Sequence, residues 1–128
     1  MNNKELIKMA VEQKEKSSSP YSKFKVGSAL ECEDGTIYTG CNIENSAYSP
    51  TCCAERVAIF KAVSDGKTNF KKIAIVSDGE KYIYPCGVCR QVLSEFCDDI
   101  EIILALNNGE YTTTKLKDLL PNSFNLDD

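Results

Sequence analysis

Two short stretches concentrate the side chains that could do chemistry, TCCAER at 51–56 and PCGVCR at 85–90. They hold four of the seven cysteines, one glutamate and both arginines, in a chain without a single histidine. Cys86 and Cys89 form a C-x-x-C. At a turn entering a helix that spacing lets two sulfurs aim at one centre, where the free N–H groups and the positive helix end favour thiolates. Alone, such a pair could equally be a redox dithiol. A redox site does not account for a third thiol beside a carboxylate at the start of a second helix. Three thiolates from two helix N-termini make a three-ligand zinc site with the fourth position open, the arrangement of catalytic rather than structural zinc. Cys53 supplies the third thiolate if it sits at a helix cap, with Glu55 in the first turn facing the same centre.

That geometry requires each stretch to open a helix. Residues 53–63 carry Ala54, Val57, Ala58 and Ala62 at the spacing of one buried face until SDG ends the run. Val88, Val92 and Phe96 recur at i, i+4 and i+8, with Leu93 beside them, and predict a second helix over 88–96. A helical face also marks residues 3–15, before the loop KSSSPYS. FKVGSALEC, the turn EDG and TIYTG read as a hairpin over 24–40, followed by an irregular stretch over 41–52. KKIAIVSD, IEIILALN and EYTTTKL supply three more strands, and KDLLPNSFNLDD a short helical turn before a polar end. The interleaving of strands and helices predicts an α/β fold.

At 128 residues the chain is sized for one domain, 1–128, that buries roughly two-thirds of its unfolded surface, so no disulfide is needed to hold a core. A net charge of −4 with scattered lysines offers no basic stripe for a nucleic-acid polymer. MNNKELIKMAVEQKEK is too regularly charged for a signal-peptide core, and no run reaches membrane-spanning length, so the expected location is the cytoplasm. The odd cysteine count in such a chain points away from disulfides. Cys32, Cys41 and Cys97 read as small buried apolar residues.

Cys53-x-Glu55 followed by Pro85-Cys86-x-x-Cys89 matches the signature of zinc deaminases, in which the glutamate moves protons and is not a ligand. With FKVGSAL at 24–30, CNIENSAY at 41–48, TCCAERVAI at 51–59 and PCGVCRQVLSEF at 85–96, the chain resembles the cytidine deaminase family. The resemblance implies a three-layer α/β/α sandwich on a mixed five-stranded sheet, one Zn²⁺ per subunit and a homotetramer with sites near subunit boundaries. It implies hydrolysis of cytidine and deoxycytidine to uridine and deoxyuridine with release of ammonia, in pyrimidine salvage. Cys53, Cys86 and Cys89 become zinc ligands and Cys52 a bystander. Zinc activates a water for attack on carbon 4 of the base while Glu55 shuttles protons. Asn42 and Glu44 hold ribose hydroxyls, Phe24 packs near the pyrimidine, and Phe124 lies over the base in a neighbouring subunit's site. For Phe24, burial as a strand aromatic suits the position nearly as well. A deaminase acting on a modified cytosine nucleoside, such as a related antibiotic, is the alternative within the class. A structural zinc module with Cys52 as fourth thiolate is the alternative outside it.

Three thiolates and one Zn²⁺ sum to −1, a unit more negative than a site with one imidazole, and the excess opposes ionisation of water at the metal. Both arginines follow these motifs while the other thirteen of the fifteen cations are lysine. Arg56 and Arg90 are therefore expected to donate toward sulfur and offset the charge, with ordinary surface salt bridges as the alternative.

Overall fold

The computed structural model describes residues 1–126. Helix α1 spans Asn3–Lys14, and the Asn2 side chain caps it by accepting from Glu5 N at 2.9 Å. The hairpin β1 (Val26–Cys32) and β2 (Ile37–Cys41) turns at Gly35, whose φ of 88° suits glycine. Next come α2 (Ala54–Ser64), β3 (Phe70–Ser77), α3 (Gly87–Phe96), β4 (Glu101–Ala105), β5 (Tyr111–Lys115) and the short α4 (Leu116–Leu119).

The five strands form one mixed sheet in the order β2-β1-β3-β4-β5, in which only β3 and β4 run parallel. Alternation along β3 divides the core in two. Ala74 and Val76 face α1 with Leu6, Ile7 and Ala10, whereas Ile73 and Ile75 face the opposite layer with Ala58, Ile59 and Leu93. The result is the three-layer α/β/α sandwich on a mixed five-stranded sheet that the family resemblance implies.

Two glycines bring helix backbones unusually close to the sheet from opposite sides. A Cβ on Gly27 would lie 2.1 Å from the Ala10 carbonyl oxygen of α1, and one on Gly40 would lie 2.3 Å from the Ala54 carbonyl oxygen of α2. Ser28 adds a tie on the α2 side, its buried hydroxyl donating to the same Ala54 carbonyl at 2.8 Å. The first turn of α2 is thus held to the sheet by close backbone contact and a hydrogen bond.

The buried faces of the two site helices differ in detail from the periodic reading. On α3 the buried residues are Cys89 and Leu93, while Val88 is 56% exposed and Val92 and Phe96 are half-buried. The inward stripe is rotated because the sulfur of Cys89 occupies the interior. On α2 Glu55 and Ile59 are buried and Val57 only partly so. Cys32 and Cys41 are buried as expected, and Cys97 is half-buried.

Candidate active site

Cys53 and Cys86 are the N-cap residues of α2 and α3, both with extended backbone. The Cys53 side chain makes no capping hydrogen bond, so its sulfur is free to turn toward α3. The Cys86 sulfur accepts from Cys89 N at 3.4 Å. Sγ of Cys86 lies 3.7 Å from that of Cys53 and 3.3 Å from that of Cys89, and all three lie within 4.8 Å of one another. A zinc ion with Zn–S bonds of about 2.3 Å sets tetrahedral sulfurs about 3.8 Å apart. The three thiols therefore fit zinc in both spacing and donor chemistry. Cys52 is outside this group, its backbone engaged with Ile43 in two 2.9 Å hydrogen bonds.

The charges around the sulfurs are unevenly shared. The neighbouring Cys89 thiol, then Arg56, pulls Cys53 down to about 5 against the opposing effect of burial. Cys53 and burial push Cys89 upward. Arg56, three residues along the helix from Cys53, places Nη2 3.5 Å from its sulfur and 3.5 Å from the Thr51 carbonyl. Arg90 departs from expectation. Its Nε donates to the Pro85 carbonyl at 2.7 Å and its Nη1 to the Leu119 carbonyl at 2.9 Å, so it fastens the turn before α3 to the end of α4. With the guanidinium committed to carbonyls, its hydrogen bonds do not reach sulfur.

Glu55 is only 3% exposed, and burial, followed by the charge of Cys53, raises its carboxyl to about 7. It opens into a cavity of about 270 Å³ together with Cys53, Cys86, Phe24, Asn42 and Glu44. Six residues singled out from the sequence thus share one space. Ile83 and Tyr84 also line it, and the sequence reading overlooked them. Their signal was available in YIYPCG, where the apolar residues precede a proline turn that delivers Cys86.

The rim residues are already hydrogen-bonded within the protein. Asn42 Nδ2 donates to the Phe24 carbonyl at 2.8 Å, and its Oδ1 accepts from Val26 N at 2.9 Å and from the Ser17 hydroxyl. Glu44 accepts from Tyr21 N and Ser22 N, each at 3.0 Å, and from the Ser22 hydroxyl, which with its Ser22 partners foremost lowers its carboxyl pKa. Asn42 keeps one N–H, and Glu44 stays ionised. Phe124 is not among the cavity's lining residues; it is 66% exposed and its carbonyl accepts from Gln91 Nε2 at 3.2 Å. A wider groove of about 580 Å³ follows the outer side of α2 past Val57 and Phe60, away from Glu55.

Residues 1–105 match the family model described as the cytidine and deoxycytidylate deaminase zinc-binding region. The chain belongs to this family. It is 51% identical to a cytidine deaminase of Sporosarcina psychrophila over 129 residues, covering all of this chain and 95% of the relative. It is 42% identical to a cytidine deaminase of Halalkalibacterium halodurans over 129 residues, covering all of this chain and 98% of the relative. The crystal structure of a cytidine deaminase from Burkholderia pseudomallei superposes with a TM-score of 0.92 at 42% identity, covering 97% of this chain and all of that one. The deaminase fold and its zinc cofactor are accordingly those of this enzyme, and the Cys53, Cys86 and Cys89 cluster fits one ion per chain. Among the described residues no helix is long and apolar enough to cross a membrane.

Proposed function

We propose that the chain is a single catalytic domain that hydrolyses the exocyclic amine of cytidine and deoxycytidine, giving uridine or deoxyuridine and ammonia. The observation that carries this reading is that Cys53, Cys86 and the buried Glu55 line one cavity with Asn42 and Glu44, while the buried Cys89 sulfur completes a cluster of three within 4.8 Å behind it. When bound by Cys53, Cys86 and Cys89, zinc supplies a Lewis acid that activates water at neutral pH. Glu55, buried beside the sulfurs, accepts a proton from the attacking water and delivers it to ring nitrogen 3 of the base. It then takes the proton of the new hydroxyl on carbon 4 and passes it to the amine, so that the C4–N bond breaks as the carbonyl forms and ammonia leaves. Phe24 walls the space for the pyrimidine. The free N–H of Asn42 and the remaining acceptor capacity of Glu44 suit ribose hydroxyls.

An ionised Glu44 at the rim repels phosphate, which favours a nucleoside over a nucleotide. Arg56 offsets the negative charge of the thiolates from 3.5 Å. The groove along α2, with Phe60 48% exposed, supports self-association as a homotetramer, and an exposed Phe124 is available to a neighbouring subunit's cavity. The reading places the enzyme in cytoplasmic pyrimidine salvage, without nucleic-acid or membrane partners.

The test is the fall in ultraviolet absorbance as cytidine becomes uridine, with and without a zinc chelator, alongside light scattering for mass. Turnover that the chelator abolishes and zinc restores is expected. A zinc-loaded protein that leaves cytidine and deoxycytidine intact would sink the proposal.

A further inference from the structure

Lys14 is the last residue of α1, yet its side chain is only 1% exposed. Its ammonium donates to Asp78 Oδ1 at 2.5 Å and to Glu15 Oε1 at 3.0 Å. Neither acid belongs to the catalytic cluster, and a buried lysine at the end of a helix calls for a reason. Both partners lead to the same place. Asp78 follows β3 directly, and its N–H donates to the Lys25 carbonyl at 3.1 Å. Glu15 faces the Lys25 ammonium at 3.7 Å. Lys25 is the neighbour of Phe24, the wall of the cavity. Beyond Asp78 the turn closes through Gly79 N donating to the buried Ser77 hydroxyl at 3.2 Å. A Cβ on Gly79 would sit 3.5 Å from the Phe24 ring, so the turn backs directly onto that ring.

We propose that Lys14 is a positioning residue for the nucleoside cavity, joining the end of α1, the turn after β3 and the entry to β1 so that Phe24 is held at the cavity wall. The proposal rests on the reading of the cavity as the nucleoside site. Lys14 touches neither the cavity nor the sulfurs and acts only through Asp78, Glu15 and the segments they fix. Removing its charge leaves zinc and Glu55 in place while loosening one wall, which affects substrate binding more than the chemical step.

Lys14→Met, nearly isosteric, is the direct variant, and Asp78→Ala breaks the same link from a more exposed position. Each is expected to raise KM for cytidine about 5- to 10-fold with kcat within about twofold and full zinc content. The double variant should be no worse than the weaker single one, because the two residues act as one brace. Asp78→Asn keeps an acceptor for the ammonium and should stay within about twofold of the parent. A second readout does not depend on turnover. The chain has no tryptophan, so Phe24→Trp creates a unique fluorophore at the wall. Iodide quenching of that tryptophan should rise at least twofold when Lys14→Met is added. Absence of cytidine turnover in the parent would overturn the functional reading, and the quenching would still report on the brace. Unchanged KM in Asp78→Ala together with unchanged quenching overturns the brace, as do additive effects in the double variant.

Discussion

Gly40→Ala separates the demands of the fold from those of the site. The added methyl would fall 2.3 Å from the Ala54 carbonyl oxygen and 2.6 Å from Ala58 N, where ordinary contacts begin near 3.4 Å. Both obstacles are helix backbone, so no side-chain rotation relieves them. The start of α2 must retreat by about 1 Å, an overpacking that costs about 1–3 kcal/mol. Cys53 and Glu55 ride on that first turn, whereas Cys86 and Cys89 belong to α3. Zinc ligation tolerates about 0.2 Å in its bond lengths, so a shift several times larger should weaken zinc binding about 10- to 100-fold. Gly27→Ala is the control, since its clash of 2.1 Å is with α1, which carries no zinc ligand. Urea titration should show both variants destabilised. Competition with a chromophoric chelator should show weakened zinc binding in Gly40→Ala alone, with Gly27→Ala within about threefold of the parent. Equal zinc affinity in the two variants would refute the reasoning.

Glu55→Gln should retain zinc and fold but lose about 10²- to 10⁴-fold in kcat, measured by the cytidine absorbance assay, since the amide cannot shuttle a proton. Metal analysis should find zinc lost from Cys86→Ala and kept in stoichiometric amount by Cys52→Ala. Arg56→Gln should lower kcat, and the loss should shrink when Cys53→His has already removed one negative charge; an equal loss in both backgrounds, at equal zinc content, would assign Arg56 a structural role. For pH dependence, burial opposes the charged form of Lys14, but Asp78 and Glu15 outweigh it and raise its pKa above 10.5. The hydrogen bond from Lys14 lowers that of Asp78 below 3.8. The stabilisation from the pair is therefore complete between those values, is lost as pH falls through the native pKa of Asp78, and is lost as pH rises through that of Lys14. Denaturant midpoints of Lys14→Met should accordingly approach those of the parent at both extremes.

The order of helices and strands was legible because apolar periodicity and the turns EDG, SDG and KSSSPYS mark nearly every boundary. The cysteine cluster was legible because Cys53-x-Glu55 followed by Pro85-Cys86-x-x-Cys89 matches the zinc deaminase signature, and the three sulfurs do lie within 4.8 Å of one another. The two arginines show where local reading stops. Arg56 lies three residues after Cys53, a spacing that puts both on one helix face, and it reaches the sulfur. Arg90 directly follows Cys89, about 100° around the helix, and a carbonyl 29 residues away in sequence, that of Leu119, helps to claim it. The inward turn of α3 was shifted because Cys89 was read for its chemistry and not for its volume. Ile83 and Tyr84 reach the cavity through the course of a loop, and no periodicity describes a loop.

Cys53 and Cys86 are separated by 33 residues, with α2 and β3 between them, and their sulfurs meet at 3.7 Å. An ion shared by both is therefore a reversible cross-link across the middle of the chain. By the loop-closure estimate used for disulfides, tying a loop of that length restricts the unfolded chain by about 3–4 kcal/mol. That is a large fraction of the stability of an ordinary domain. Stability and activity consequently share one resource. When zinc is scarce the metal-free chains unfold more often and become accessible to proteases, so the amount of enzyme, as well as its activity, follows the supply of the metal.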